Sequence, residues 1–221
     1  MLKTEENLDK MAIHFGTDKS SLRHNYCNHY ENHLHEWRNK KFNLLEIGVL
    51  NGSSLKLWKS YFPHAEITGI DINPECKKYE EEKISVRIGD QTDTAFLASI
   101  VKEKKYDIII DDGSHIWDHL VKSFEFLFPH LNENGLYCME DLLDCYDPSH
   151  AGIAGLNAIN FLKNTIDNVN LHGLVFRDDR SIPVRAASFK EKQLKKNKKL
   201  DYRNFIQSLH FYCGLCIIKK H

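Results

Sequence analysis

The chain alternates short, mainly apolar runs with longer stretches in which apolar positions recur at helical spacing. "FNLLEIG", "AEITGIDIN", "ISVRIGD", "YDIIIDD" and "GLYCMED" are runs of the first kind. Each has the length of a strand, and most carry several β-branched residues. "SSLKLWKSYF", "PECKKYEEEK", "TAFLASIVKEK" and "HLVKSFEFLFPHL" fall between them and predict helices. This βαβαβ alternation predicts parallel strands joined by right-handed crossovers, with helices on both faces of a doubly wound α/β sheet. Ahead of it, Leu8 to Arg38 predicts a largely helical segment. After it, "GLNAINFLKNTIDNV" predicts a helix and "FIQSLHFYCGLCIIKK" a strand-rich end. Between those two, residues 176–203 have no clear period and hold the basic run Phe189 to Lys199. Such a run reads as a solvated loop, or as a cover that attracts an anionic substrate such as a nucleotide sugar. With no repeat and no linker, the 221 residues predict one domain, 1–221. Residues 1–40 are expected to form a helical N-terminal cover and 176–203 a variable basic insert.

Composition narrows the function classes. A formal net charge of -1 gives no global attraction to nucleic acid or to an anionic membrane. No apolar run approaches the roughly 20 residues of a membrane span. The N-terminus lacks the apolar core of a signal peptide, so a cytoplasmic address is expected. The six cysteines are scattered, as in a reduced protein. Only "CGLC", Cys213 to Cys216, is tightly spaced; without a second pair it reads as two core cysteines before a redox or zinc motif.

"LLEIGVLNGSSL" joins the first strand to the first core helix, and Glu46, Gly48 and Gly52 form E-x-G-x-x-x-G within it. Glycines there allow a tight turn and close approach of backbone to a ligand. The second strand ends at Asp71, whose carboxylate can accept from both hydroxyls of a ribose. The third ends in "GDQTD", placing Asp90 and Gln91 where they could reach an adenine edge. Two cofactors compete for such a crevice. A dinucleotide prefers G-x-G-x-x-G, which lets pyrophosphate sit on a helix N-terminus. An acidic Glu46 beside the turn would repel pyrophosphate but suits a sulfonium and an α-amino group, which favours S-adenosylmethionine over NAD.

"YDIIIDDGSHIWDH" then asks why a buried strand runs into two aspartates. Asp111 and Asp112 end the fourth strand; Glu140 and Asp141 end the fifth. Neighbouring strands lie about 4.8 Å apart, so these carboxylates crowd one edge of the crevice. Like charges that close raise one another's pKa or require a cation. Hard oxygen ligands at an incomplete site suit Mg²⁺. Asp112, Glu140 and Asp141 are the expected ligands, while Asp111 is expected to orient the turn or a cofactor amine. His115, on the turn opening a helix, is the candidate general base. His119 follows at i+4, on the expected same helical face. Ile116 stands where a metalloprotease zinc motif needs Glu, so His119 is expected to play a structural or supporting role.

Taken together, "FGTDKSS", "HNYCNHYE", "LLEIGVLNGSSLKLW", "GIDINP", "VRIGDQTD", "IIIDDGSH", "GLYCMEDL" and "LHFYCGLCIIKK" resemble the metal-dependent sugar O-methyltransferases. The nearest type is the macrolide-biosynthesis enzymes that methylate a deoxysugar hydroxyl; the cephalosporin-hydroxylase-like group shares much of the pattern. The resemblance runs from about Ile13 to Lys219 and thins over Asp144 to Gln207. It implies a Rossmann-like class I methyltransferase fold with a mostly parallel seven-stranded sheet and an antiparallel C-terminal strand. It also implies S-adenosylmethionine and Mg²⁺ as cofactors, with the ligands and base named above. "GTDKSSLRHNYCNHYE" is then expected to help close the site through Thr17, Lys19, His24, Tyr26 and Tyr30. Ser53, after Gly52, and Ile72, after Asp71, join Thr17, Lys19 and Tyr26 as cofactor-binding candidates. The macrolide enzymes carry a further N-terminal domain that this chain is expected to lack. Expected partners are a sugar-bearing small molecule or glycan and, as a further option, a second copy of the chain in a homo-oligomer. Non-sugar diols, an oxidoreductase on the same scaffold and a non-catalytic nucleotide-binding module are the competing readings.

Overall fold

A computed structural model describes residues 6–176 and 205–221. Two helices lead: α1 (Leu8–Phe15) and α2 (Tyr26–Leu34). The expected single helical segment is divided because Gly16 closes α1 in the left-handed region (φ 70°), and Asn25 (φ 63°) precedes α2. The core follows as β1 (Asn43–Ile47), α3 (Ser53–Tyr61), β2 (Glu66–Asp71), β3 (Ile84–Ile88), α4 (Thr94–Glu103), β4 (Tyr106–Asp111), α5 (Trp117–Leu127) and β5 (Leu131–Met139). After α6 (Ala158–Phe176), the chain ends in β6 (Ile206–Tyr212) and β7 (Leu215–Lys220). Apart from the helix end at Phe176, the expected insert 176–203 and its basic run lie outside the described residues. The second crossover is shorter than expected. "PECKKYEEEK" gives only a 3₁₀ stretch, Pro74–Tyr79. Its stop has a local cause: the Glu80 carboxylate accepts from the Lys77 ammonium and from Val86 N–H, folding the chain back onto β3.

The seven strands are ordered β3-β2-β1-β4-β5-β7-β6. β1 to β5 are parallel, and β7 runs antiparallel between β5 and β6. Strand order reverses between β1 and β4, which opens a crevice at their carboxyl ends. "CGLC" is a hairpin, with Cys213 and Gly214 (φ 74°) as the turn. Cys216 is buried as expected, but Cys213 is exposed on that turn rather than in the core.

Side-chain alternation explains the consecutive apolar positions in the central strands. Ile108 and Ile110 pack with α1, α2 and α3 on one face, alongside Leu44, Cys138 and Ile217. Ile109 packs with α4, α5 and α6 on the other, alongside Leu45, Tyr137 and Cys216. A strand buried on both faces needs no polar alternation. The same two-residue period decides where the carboxylates at the strand ends go.

Candidate active site

Glu46 and Glu140 continue the series of even-numbered residues facing α1 to α3, and Asp112 joins them just past β4. Asp111 continues the odd series and faces α5. The Asp111–Asp112 pair is thus split across the sheet.

On the α5 side, Asp111 is fully buried. Its Oδ2 accepts from Ser123 Oγ and from Tyr137 Oη at 2.7 Å, and its Oδ1 from Gln91 Nε2 at 3.2 Å. Burial pushes its carboxyl up to about 6, against the pull of Ser123 and Tyr137. Expected to orient the turn or a cofactor amine, Asp111 ties β4 to β5 and α5 and reaches the turn through Gln91. Gln91 completes that network and accepts from Ser114 N–H at 2.9 Å. Its amide atoms all have protein partners, so in this arrangement Gln91 frames the adjoining cavity rather than reaching into it.

On the other side, Lys19 reaches inward from the segment between α1 and α2 and is 1% exposed. Its Nζ donates to Asp112 Oδ2, to Glu140 Oε2 at 2.6 Å, and lies 3.6 Å from Glu46 Oε1. Glu140 Oε1 accepts from Tyr30 Oη at 2.6 Å, and Asp141 Oδ1 from Tyr26 Oη at 2.7 Å. His24 stacks on Tyr26, with ring centroids 5.2 Å apart. Burial pushes the Glu46 carboxyl up to about 7, although Lys19 pulls it down. Burial would lower the Lys19 ammonium, but the surrounding carboxylates outweigh it and hold the group well above its ordinary value.

Asp112, His115 and Asp141 each offer a ligand atom within 4.8 Å of the others. His115 Nδ1 is 3.3 Å from Asp141 Oδ2 and has no hydrogen-bond partner. Both His115 (φ 56°) and Asp141 (φ 52°) occupy the left-handed region that non-glycine residues avoid. Such backbone is stored at sites where side-chain direction matters. Because α5 starts at Trp117, His115 precedes the helix and does not share a face with His119. His119 instead meets Ser114 Oγ at 2.8 Å.

The cluster lies on a cavity of about 750 Å³ whose lining includes Thr17, Gly48, Ser53, Asp71, Asp112 and Asp141. A smaller hollow of about 170 Å³ adjoins it, lined by Asp71, Ile72, Asp90, Gln91 and His119. Asp71, Gly48 and Gly113 border both. Asp71 Oδ2 accepts from Val49 and Leu50 N–H at 2.9 and 3.1 Å, and Oδ1 from Asn73 N–H at 2.8 Å. Burial raises its carboxyl, but these backbone donors outweigh it and hold the group below its ordinary value. Asp90 is lowered in the same way by Thr92 N–H, leaving Oδ2 for a ligand. Ile72 is 70% exposed, an apolar shelf on the smaller hollow. Gly48 (φ 92°) owes its identity to protein packing: a Cβ would sit 1.9 Å from the Asp112 carbonyl oxygen. At Gly52 it would sit 2.8 Å from the Tyr79 ring.

No family model matches the chain. It is 36% identical over 188 residues to mycinamicin VI 2''-O-methyltransferase of Micromonospora griseorubida, covering 79% of this chain and 47% of that protein. It is 31% identical over 221 residues to 8-demethyl-8-alpha-L-rhamnosyl tetracenomycin-C 2'-O-methyltransferase of Streptomyces olivaceus, covering 95% and 53%. The structure of MycE methyltransferase from the mycinamycin biosynthetic pathway, in complex with Mg and SAH, superposes with a TM-score of 0.81 at 32% identity. That match covers 97% of this chain and 53% of MycE. The chain is a homologue of the sugar O-methyltransferases. It spans about half the length of the curated relatives it matches.

This methyltransferase homologue suits a divalent ion on its own geometry. Glu46, Asp112 and Glu140 share the single ammonium of Lys19, and Asp141 adds a fourth carboxylate beside Asp112 and His115, so acidic groups outnumber the one buried ammonium. Two buried polar atoms beside the cluster, Glu46 Oε1 and His115 Nδ1, lack hydrogen-bond partners. Several residues of this site carried no sequence signal of their own. Ser54 donates to Glu46 at 2.9 Å, and Ser123 and Tyr137 hold Asp111. Their helical or strand period marks them as ordinary core-facing positions. Only the facing carboxylates, unknown before the strands are paired, make them functional.

Proposed function

We propose that the chain transfers the methyl group of S-adenosylmethionine to a sugar hydroxyl, assisted by Mg²⁺. One observation carries this reading: a single cavity joins the glycine turn and Asp71 at one end to Asp112, Asp141 and His115 at the other. Asp71 then meets the ribose, and Ile72 and Asp90 border the adenine in the smaller hollow. Glu46 and Lys19 set the charge beneath the turn, with Thr17 and Ser53 along the cofactor's path. Asp112 and Asp141 would hold the ion, while Glu140, the third expected ligand, is bonded by Lys19 and Tyr30 and would act on the ion from behind Asp112. When bound, the ion supplies Lewis acidity that lowers the pKa of the acceptor hydroxyl.

The remaining tasks fall to the chain's own side chains. Asp141, with Oδ2 3.3 Å from His115 Nδ1, orients the ring, and the other ring nitrogen, Nε2, takes the acceptor proton as the hydroxyl oxygen bonds to the methyl carbon. The carbon–sulfur bond breaks, and the sulfonium leaves as a neutral thioether. Positioning dominates, because the donor is already activated. Ile13, Leu22 and Leu50 line the same cavity and are exposed. This apolar rim favours a sugar carried on an apolar body, a glycoside, over a nucleotide sugar or a polysaccharide. A cytoplasmic setting and self-association are part of this proposal as well; no helix among the described residues is long and apolar enough to cross a membrane.

The test is methyl transfer from labelled donor to a panel of glycosides, nucleotide sugars and non-sugar diols, with Mg²⁺ and with EDTA. His115→Ala is expected to bind S-adenosylhomocysteine as the wild type does while losing about 10²–10⁴-fold in kcat. Near-normal turnover in that variant removes His115 from the base role; full activity in EDTA removes the metal.

A further inference from the structure

Lys19 has an unusual position for a lysine. Its side chain is almost wholly buried and ends among three carboxylates, bonded to Asp112 and Glu140 and 3.6 Å from Glu46 Oε1. Asp112 belongs to a second grouping as well, with His115 and Asp141 on the open cavity. Two cation niches therefore share one carboxylate. The inner one is sealed by β1, β5 and the N-terminal segment and holds an ammonium. The outer one faces the acceptor cavity. Each niche contains a buried polar atom without a hydrogen-bond partner: Glu46 Oε1 in the inner, His115 Nδ1 in the outer.

A carboxylate shared by two adjacent cation niches is the layout of two-metal sites, whose ions sit about 3.5–4 Å apart. Here one position is filled by a compact, strongly charged point on a flexible stem, which suits lysine better than arginine's planar fork. We propose that Lys19 is a fixed internal counter-cation that reserves the inner niche, so that the site takes one divalent ion, on the cavity side of Asp112, instead of two. The inference rests on the divalent-ion reading above and assigns Lys19 as a positioning residue acting through Asp112 and Glu140. It also makes the N-terminal segment part of the metal centre: Lys19, Tyr26 and Tyr30 each hold a carboxylate of the cluster.

Mn²⁺ titration of the full chain, followed by electron paramagnetic resonance and calorimetry, tests this without any turnover. Wild type is expected to bind one Mn²⁺. Lys19→Met, which keeps the stem and removes the charge, is expected to bind two, with Lys19→Arg keeping one. Adding Asp141→Asn should remove the outer ion and leave Lys19→Met with one. A Lys19→Met chain that stays at one ion overturns the proposal, as does a wild-type chain that binds two. If Lys19→Met does not fold alone, refolding in Mn²⁺ should restore it; failure to do so counts against the proposal. A wild-type chain that binds no Mn²⁺ overturns the ion reading itself, a separate result from either of these.

Discussion

Asp111 and Asp112 are adjacent in the chain and opposite in circumstance. Asp111 is sealed on the α5 face, its oxygens satisfied by Ser123, Tyr137 and Gln91. Asp112 lies on the other face, tied to Lys19 within and open to the cavity without. Both carboxyls are raised by burial, yet one is answered by neutral donors and the other by a cation. The difference teaches that a carboxylate at a strand end is not functional by virtue of its place alone. The two-residue period of the strand assigns one aspartate to holding the sheet and turns its neighbour toward Lys19 and the cavity.

Three substitutions sharpen or break that contrast. The largest effect is expected for Asp112→Ala. If Asp112 is a metal ligand, turnover and Mg²⁺ dependence vanish together, and Mn²⁺ affinity drops well beyond the roughly 10–100-fold typical of a residue that only supports a ligand. Unchanged Mn²⁺ affinity would erase the distinction between the two aspartates. Asp111→Ala should reverse the pattern. It leaves the Tyr137 hydroxyl buried without its acceptor, costing about 1–3 kcal/mol, while Ser123 Oγ keeps the His119 carbonyl at 2.8 Å. Urea unfolding reads that loss, while affinity for S-adenosylhomocysteine should move little. A large loss of affinity with normal stability would return Asp111 to the cofactor site.

Asp71 gives the smallest effect and an intermediate case. Half-buried, it is held below its ordinary carboxylate value of 3.8 because backbone donors outweigh burial. A depressed folded pKa contributes stability that is full above the unfolded value and is lost as pH falls through the folded one. Asp71→Asn should therefore be less stable than wild type near neutrality, by about 1 kcal/mol. The gap should close in acid, below the ordinary value. A constant gap across that range, seen in thermal melts, would mean the carboxylate charge is not what pins the glycine turn.

The strands and crossovers were legible because burial on both faces leaves a plain mark: "YDIIIDD" holds three successive isoleucines, Ile108 to Ile110, which divide between the two faces. Helix ends were less so. Nothing in the Leu8 to Arg38 pattern shows that Asn25 takes a left-handed backbone, or that Glu80 turns "PECKKYEEEK" back early. At the site, the sequence alone put Asp111, Asp112, Glu140 and Asp141 at one edge, because parallel strands end together. It could not divide them between faces, since that depends on the pleat phase at which each strand stops. Nor could it place Lys19 among them from 93 residues away in the chain. The chemical types, their spacing and the sheet they sit on are local matters of period and turn, and the sequence determines them. Which carboxylate meets an ammonium, which a hydroxyl and which the open cavity was decided only by tertiary structure, because a charge's role depends on what folding brings within a few ångströms of it.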